Sequence, residues 1–141
     1  METFLFEVHL AATWLLVGLI WVVQLAIYPQ FASVGRREFR AYHERYANGI
    51  TWVVAPAMAI EGLTGAWLLF APEWAEHRTL FGVGFGLILF NAAHTAFIAV
   101  PLHGRLGAGF DDVVHRRLVR SNVLRALAWT VRGLLLFLAI R

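Results

Sequence analysis

The sequence predicts an all-α integral membrane protein, an up-down bundle of four membrane-spanning helices with short interfacial helices in the cytoplasmic loops. Three observations predict this fold. Of the 141 residues, 60% are hydrophobic and only 15% are charged, and the mean hydropathy is +0.65. Four stretches reach the roughly 20 apolar residues that a bilayer core requires. The basic residues, twelve Arg and no Lys, gather in short clusters between these stretches.

This composition excludes several classes of protein. A water-soluble domain of this size cannot bury so much apolar surface, so an ordinary soluble enzyme is excluded. The Arg residues form two short clusters, which favours contact with membrane lipid and predicts no nucleic-acid partner. The absence of Cys excludes disulfides and thiolate metal sites.

The four predicted spans belong to a single domain, residues 1–141, and cover about 3–28, 50–71, 80–102 and 119–140. Each span ends at a turn or charge signal, in order Pro29, Pro72, Gly104 and Arg141. The first span begins beside Glu2 and Glu7 and has no basic residue there, so we interpret it as a mature helix and not as a cleaved signal peptide.

The placement of Arg orients the bundle. Most Arg residues lie in the loops after the first and third spans: Arg36, Arg37, Arg40, Arg45, Arg105, Arg116, Arg117 and Arg120. The positive-inside rule therefore predicts that these loops are cytoplasmic and that both termini lie outside, as in a multi-pass protein of a bacterial cytoplasmic (inner) membrane. Aromatic and basic residues mix in segments 36–46 and 111–120, which predicts two short interfacial helices.

Polar residues recur at helical spacing within the spans. The first span carries His9, Thr13 and Gln24, the third carries Asn91, His94, Thr95 and Ile98 on one stripe, and the fourth carries Asn122, Arg125, Trp129 and Arg132. Lipid cannot satisfy polar groups, so each stripe should face the centre of the bundle. The second span contributes Glu61.

The rise of 1.5 Å per residue places these groups in two layers. Glu61, Arg132 and His9 form the outer layer, in which Glu61 and Arg132 are expected to pair because a lone buried charge is costly. His94, Arg125 and Asn122 form the inner layer, and Asn91 lies between the two. The predicted catalytic residues are Glu61, His94, Asn122, Arg125 and Arg132. The predicted cofactor-binding residues are His9, Asn91 and Trp129, with His9 also the predicted metal ligand. The alternative is that the buried pair and the histidines only hold the helices in register.

Other signals indicate packing. Gly82 and Gly86 form a GxxxG pattern, which predicts close helix contact. Pro56 and Pro101 lie inside spans, where they are expected to shape a cavity or simply bend the helix. A surface metal site from His43, His103 and His115 is the less favoured interpretation of that cluster.

The run His9-Leu10-Ala11-Ala12, followed by Trp14 and Gly18, resembles the first helix of CopD-like and HemJ-like four-helix membrane proteins. HemJ-type proteins are protoporphyrinogen oxidases that bind haem b through a first-helix His. The resemblance implies haem b on His9. The third-helix Lys of HemJ-like proteins has no counterpart here, because the chain contains no Lys.

The last third resembles a family of small membrane proteins that includes the anthrone oxygenases. The matching residues are Val100-Pro101-Leu102, His103, Leu106, Asn122, Arg125 and Trp129. The family typically has Pro-Leu-Asn, so His103 is a departure. This resemblance implies cofactor-free oxygenation of an aromatic substrate, with Asn122 and Arg125 as the residues carried over.

These observations favour a membrane redox protein, either an oxidoreductase of oxygenase type or a haem-binding module. It would act on a flat hydrophobic small molecule through the buried His, Glu, Arg and Asn residues. The alternative is a non-catalytic membrane subunit or carrier in which those residues are structural, and a small-solute transporter is a third interpretation. Assembly into a homo-oligomer or a larger membrane complex is left open by the sequence.

Overall fold

The computed structural model describes residues 2–139, which form helices and connecting turns without a strand. Helix α1 spans Glu2–Val22 and continues through a π-helical turn, Val23–Ile27, to Tyr28–Gln30. Helix α2 spans Phe39–Phe70, α3 spans Arg78–His94 and continues through the π turn Thr95–Ala99 to Val100–Gly107, and α4 spans Asp112–Leu136. The predicted end of the fourth span, at Ile140 and Arg141, lies outside the described residues.

The four helices are arranged as a bundle in which each packs against two neighbours. Helix α1 contacts α2 and α4, and α3 contacts the same two helices. At one end, Phe6 and Phe81 from the starts of α1 and α3 meet Leu68 and Leu136 from the ends of α2 and α4. The opposite end carries most of the exposed Arg residues, and we call it the basic end. Neighbouring helices therefore run antiparallel, which confirms the predicted up-down bundle.

The outer surface of the bundle is apolar. All four helices are long and apolar enough to cross a membrane. Large hydrophobic side chains are exposed along their whole length, among them Phe4, Leu25, Trp52, Leu63, Phe97 and Leu134. A soluble protein of this size does not present such a surface to water, so this chain is a membrane protein whose outer residues face lipid.

The two predicted interfacial helices are not separate elements, and that prediction is wrong. Segment 39–46 forms the first turns of α2, and segment 112–120 forms the first turns of α4. No proline interrupts either run. At the basic end Phe31 and Phe39 are completely buried against these turns, so packing holds them in line with the spans.

Asp111 fixes the start of α4. Its Oδ1 accepts hydrogen bonds from the backbone N–H groups of Val113 (2.8 Å) and Val114 (2.9 Å), which is the usual arrangement of a helix N-cap. These bonds, that of Val114 first, lower the pKa of Asp111 because they favour the ionised carboxylate. The cap therefore contributes its stability above the ordinary carboxyl pKa and loses it as the pH falls through the lowered value.

Each π turn ends two residues before a proline, Pro29 in α1 and Pro101 in α3. Proline lacks an N–H, and its ring clashes with the carbonyl four residues earlier. The wider turn accommodates this clash with one extra residue, and the N–H of Tyr28 and that of Val100 reach back five residues to Val23 and Thr95. The extra residue shifts the phase of the helix and turns Ile98 outward, to 37% exposure, so its predicted place on the inward stripe is wrong.

Close helix packing occurs at Gly65 and not at the predicted GxxxG pattern. A Cβ at Gly86 would meet nothing within 4 Å, and one at Gly82 would meet only Leu69 at 3.8 Å. A Cβ at Gly65 would lie 2.6 Å from Cδ1 of Ile88 and 3.0 Å from Cε1 of His9. Gly82 and Gly86 are therefore not contact residues, because they lie on the side of α3 that is turned away from the neighbouring helices.

We expect Gly65→Ala to lower the free energy of unfolding by about 1–3 kcal/mol, because an overpacked core must shift side chains that are already held in place. Gly86→Ala is the matched control and should be neutral or slightly stabilising, since Ala favours a helix and meets no neighbour. Thermal unfolding of the two detergent-purified variants tests this expectation. Equal midpoints would show that the contact of Gly65 with His9 is not tight.

Candidate functional site

One buried polar group centres on Glu61 and Arg132, and we call it the ion-pair network. Arg132 donates from Nη1 to Glu61 Oε1 and, at 2.7 Å, to Thr13 Oγ1. Its Nη2 donates to His9 Nε2 at 2.6 Å. Glu61 and Arg132 are each 1% exposed. The predicted ion pair and its outer layer with His9 are thus confirmed.

His9 and Trp129 complete the ion-pair network. The Nδ1–H of His9 donates to Thr64 Oγ1 at 2.7 Å, because the Thr64 hydroxyl is itself engaged as a donor to the carbonyl of Ile60. Trp129 Nε1 donates to Glu61 Oε2 at 3.1 Å. Both carboxylate oxygens therefore have partners. The network satisfies a buried charge pair with the additional hydrogen bonds that such pairs require.

The His9 environment does not fit a haem or another metal. Both ring nitrogens are engaged, Nε2 by Arg132 and Nδ1 by Thr64. Gly65 packs against the ring, and His9 lies outside both cavities described below. Among residues 2–139, no cluster of three or more His, Asp or Glu side chains could hold a metal ion, and this includes His43, His103 and His115. His9 is therefore a member of the ion-pair network, and neither of its ring nitrogens is free to bind a metal.

The second polar group contains Arg125. Its Nη1 donates to Asn122 Oδ1 at 3.1 Å, and Asn122 in turn donates from Nδ2 to Gln24 Oε1 at 2.9 Å. The guanidinium carbon lies 5.1 Å from the ring centre of Trp129, a cation–π contact. Trp129 therefore lies between the two groups, with its N–H on Glu61 and its ring face on Arg125.

Arg125 has no carboxylate partner. Within the described side chains, residues 3–139, the buried charged residues are Arg125, Arg132 and Glu61, and the single carboxylate pairs with Arg132. Arg125 is 5% exposed, and its Nε has no hydrogen-bond partner in the part of the chain that the structure describes. A guanidinium cannot shed its proton inside a protein, so this buried charge has an unfilled capacity for an anionic or strongly accepting group.

A cavity of about 220 Å³ lies beside Arg125. Most of its wall is apolar, and Trp129 forms part of it. Its polar side chains are Arg125, Tyr28, Tyr46, His103, Thr51 and Thr95. Thr51, Ala55 and Val100 line the cavity and are also exposed on the outer surface of the bundle, so the cavity borders the lipid-facing side. Residues beside Pro56 and Pro101 line it, as expected of prolines that shape a cavity.

A second cavity, of about 490 Å³, opens at the basic end, and we call it the vestibule. Arg40, His43 and Glu44 line the vestibule. The wall between vestibule and cavity is shared and contains Tyr46, Ile50, Thr51, Val100 and His103. The inner site therefore lies one layer of side chains away from the charged end of the bundle.

Asn91 and His94 are buried but lie outside the cavity. Asn91 is completely buried and His94 is 5% exposed. None of their four side-chain nitrogen and oxygen atoms has a hydrogen-bond partner among the described residues. Buried polar atoms are rarely left without partners, so the side chains of Asn91 and His94 are suited to hydrogen bonding with buried water. The structure does not bring these two residues together with Arg125 around one cavity.

Sequence reasoning did not assign Tyr28, Tyr46 or His103 to the site. The sequence places Tyr28 at the end of the first span, and it assigns His103 to a surface cluster and to the resemblance with the anthrone oxygenase family. Their spacing contains one usable signal, because Tyr28 precedes Pro29 and His103 follows Pro101. A proline near the same end of two spans brings the neighbouring side chains to the same level of the bundle.

The chain matches no protein-family model, no curated protein and no solved structure. The resemblances to the CopD-like, HemJ-like and anthrone oxygenase families therefore remain predictions.

Proposed function

We propose that this membrane protein binds a flat, lipophilic molecule with an acidic or accepting oxygen in the cavity beside Arg125, and that it oxidises this molecule. One observation carries the proposal: Arg125 is buried beside an apolar cavity and has no carboxylate partner among the described residues. A phenolate, enolate or carboxylate oxygen would supply the missing acceptor, and Trp129 would stack against a planar ring.

The proposed reaction class is oxidation of an electron-rich anion. A phenol or enol that loses its proton becomes more readily oxidised, and Arg125 would stabilise the oxyanion. Dioxygen is the oxidant implied by the resemblance to the anthrone oxygenases. The alternative is a carrier that binds the same molecule without changing it. In either case, the pairing of Glu61 with Arg132 and the hydrogen bonds to both oxygens of Glu61 favour a structural role for these two residues.

Binding of 2-hydroxy-1,4-naphthoquinone to the protein in lipid nanodiscs tests the proposed site. Arg125→Met should weaken binding about tenfold to a hundredfold, as expected for the loss of a charge-assisted hydrogen bond. Arg120→Met, an exposed position on the same helix, should bind like the wild type. The parent 1,4-naphthoquinone lacks the acidic hydroxyl, so its affinities for the wild type and for Arg125→Met should differ less. Equal affinity of the hydroxyquinone for wild type and Arg125→Met would exclude this site.

Oxygen uptake distinguishes the redox protein from the carrier. If the protein is an enzyme, the wild type should consume dioxygen in the presence of anthrone faster than the Arg125→Met variant does. Saturable binding without uptake would favour the carrier.

We further propose that the basic end faces the cytoplasm of a bacterial cell and that both termini lie outside. The exposed Arg residues at this end support the orientation. Because the chain has no Cys, single-cysteine variants give an unambiguous test. A membrane-impermeant thiol reagent added to intact spheroplasts should label Ala75→Cys, which lies between α2 and α3, and should not label Ser33→Cys. The reverse labelling would invert the topology.

A further inference from the structure

We propose that Tyr28, His103 and His43 form a proton relay between the cavity and the vestibule. The hydroxyl of Tyr28 lies 2.9 Å from His103 Nε2, and His103 Nδ1 lies 3.0 Å from His43 Nε2. Tyr28 is 2% exposed and His43 is 3% exposed. Three titratable groups from α1, α3 and α2 are thus joined end to end by hydrogen bonds.

The relay crosses the wall between the two spaces. Tyr28 and His103 line the cavity, whereas His43 and His103 line the vestibule. A proton released by a bound molecule can therefore reach the basic end without passing through lipid. Only the identity of the proton donor in the cavity rests on the proposed function.

The chain of hydrogen bonds can be polarised in either direction. In one arrangement the Tyr28 hydroxyl donates to His103 Nε2, and His103 Nδ1–H donates to His43 Nε2. In the other, His43 Nε2–H donates to His103 Nδ1, and His103 Nε2–H donates to the Tyr28 oxygen. Each arrangement satisfies both contacts with neutral rings. Both arrangements contain the same two hydrogen bonds, and a proton relay requires two such arrangements because each transfer converts one into the other.

The proton transfer through the relay requires no oxidant, because each proton that leaves one group is replaced by the proton of the group before it. The O–H bond of the bound molecule breaks as its proton joins the Tyr28 oxygen, the Tyr28 proton passes to His103 Nε2, and the Nδ1 proton of His103 passes to His43 Nε2. His43 then releases its Nδ1 proton to water in the vestibule. The bound molecule is left as an anion beside Arg125, and the relay is now polarised to return one proton to the product.

Several charged and titratable groups face the relay. From α2, the ring of Tyr46 lies 6.0 Å from that of His103, and Arg40 and Glu44 line the vestibule. From α4, Arg125 faces the cavity, and His115 Nε2 donates to the backbone carbonyl of Tyr28 at 2.7 Å. The Arg125 charge favours loss of a proton from the bound molecule. His115 bonds only to the backbone, so it lies outside the relay and serves as a control.

Nitrogen-15 NMR of histidine-labelled protein in nanodiscs tests the relay without any ligand. A relay that switches polarity should give His103 and His43 ring shifts that are averaged between the two tautomers. Tyr28→Phe removes the hydroxyl that stabilises both polarities and should fix His103 in one tautomer. His115 should keep one tautomer throughout. A single fixed tautomer for His103 and His43 in the wild-type protein would overturn the relay and leave a static contact between helices.

Photoexcited 2-naphthol, which becomes a strong acid, tests the transfer itself. We expect bound naphthol to emit from its anionic form in the wild type, and this emission should fall at least fivefold in His103→Gln and His43→Gln. His115→Gln should retain it, and naphthol affinity should stay within about twofold in His43→Gln and His115→Gln. Because His103 lines the cavity, the emission of His103→Gln is compared per bound naphthol. Binding with undiminished anion emission in His103→Gln and His43→Gln would overturn the relay. Absence of naphthol binding would contradict the proposed function, and the nitrogen spectra would then decide the relay alone.

Discussion

Glu61→Ala is expected to lower the free energy of unfolding by about 3–5 kcal/mol, because truncating one member of a buried ion pair leaves the other charge without a partner. Arg132 is 1% exposed and would keep its charge in an apolar interior. Trp129 would lose the acceptor for its N–H at the same time. Chemical or thermal unfolding in detergent measures the effect.

The control is an ion pair on the surface. Arg36 lies 3.1 Å from Asp112, and both side chains are more than half exposed. Arg36→Ala should therefore cost only about 0–1 kcal/mol. Glu61→Gln keeps the size of the side chain and should fall between the two. If Glu61→Ala and Arg36→Ala unfold at the same midpoint, the ion-pair network does not stabilise the bundle.

Arg125→Met is expected to affect stability in the opposite sense. The free energy of unfolding should stay unchanged or rise by up to about 2 kcal/mol, because Met fills a similar volume without burying a charge that lacks a carboxylate. The loss of the cation–π contact with Trp129 and of the bond to Asn122 limits the gain. The same variant should lose binding of the hydroxyquinone. Stability and binding would thus be opposed at one residue.

Arg132→Met is the matched comparison for this prediction. It removes the same side chain from the same helix but leaves Glu61 without its partner, so it should be strongly destabilising. If Arg125→Met unfolds as early as Arg132→Met, Arg125 is a structural residue like Arg132. Of the two variants, only Arg125→Met is expected to lose hydroxyquinone binding without a decrease in the free energy of unfolding.

The ion-pair network could be predicted from the sequence because membrane depth makes charge costly. Lipid cannot satisfy polar side chains, so the sequence predicts that they face the interior of the bundle. This applies to His9 and Thr13 on the first helix, Glu61 on the second and Arg132 on the fourth. Depth along each helix then identified the pairing of Glu61 with Arg132. The stripe of α4 was predicted correctly for the same reason, since Asn122, Arg125, Trp129 and Arg132 are all buried.

The relay and the cavity could not be predicted in the same way. Regular helical spacing assigns residues to faces, but the π turns before Pro29 and Pro101 change the phase within a helix. Packing at the basic end also extended α2 and α4 beyond the expected surface, which placed His43 inside the bundle. The π turns and the extended helix ends together determine the hydrogen-bond partners of His103. Neither feature produces a periodic pattern in the sequence from which it could be predicted.

Thr51, Ala55 and Val100, the exposed residues in the cavity wall, would give the proposed ligand a route into the cavity from the lipid. A molecule that enters between them arrives sideways from the acyl chains, where lipophilic compounds accumulate far above their aqueous concentration. Occupancy then follows the ligand-to-lipid ratio, and the apparent aqueous affinity scales with the partition coefficient. A site with modest intrinsic affinity would be saturated in a bilayer at ligand levels that leave it nearly empty in dilute detergent.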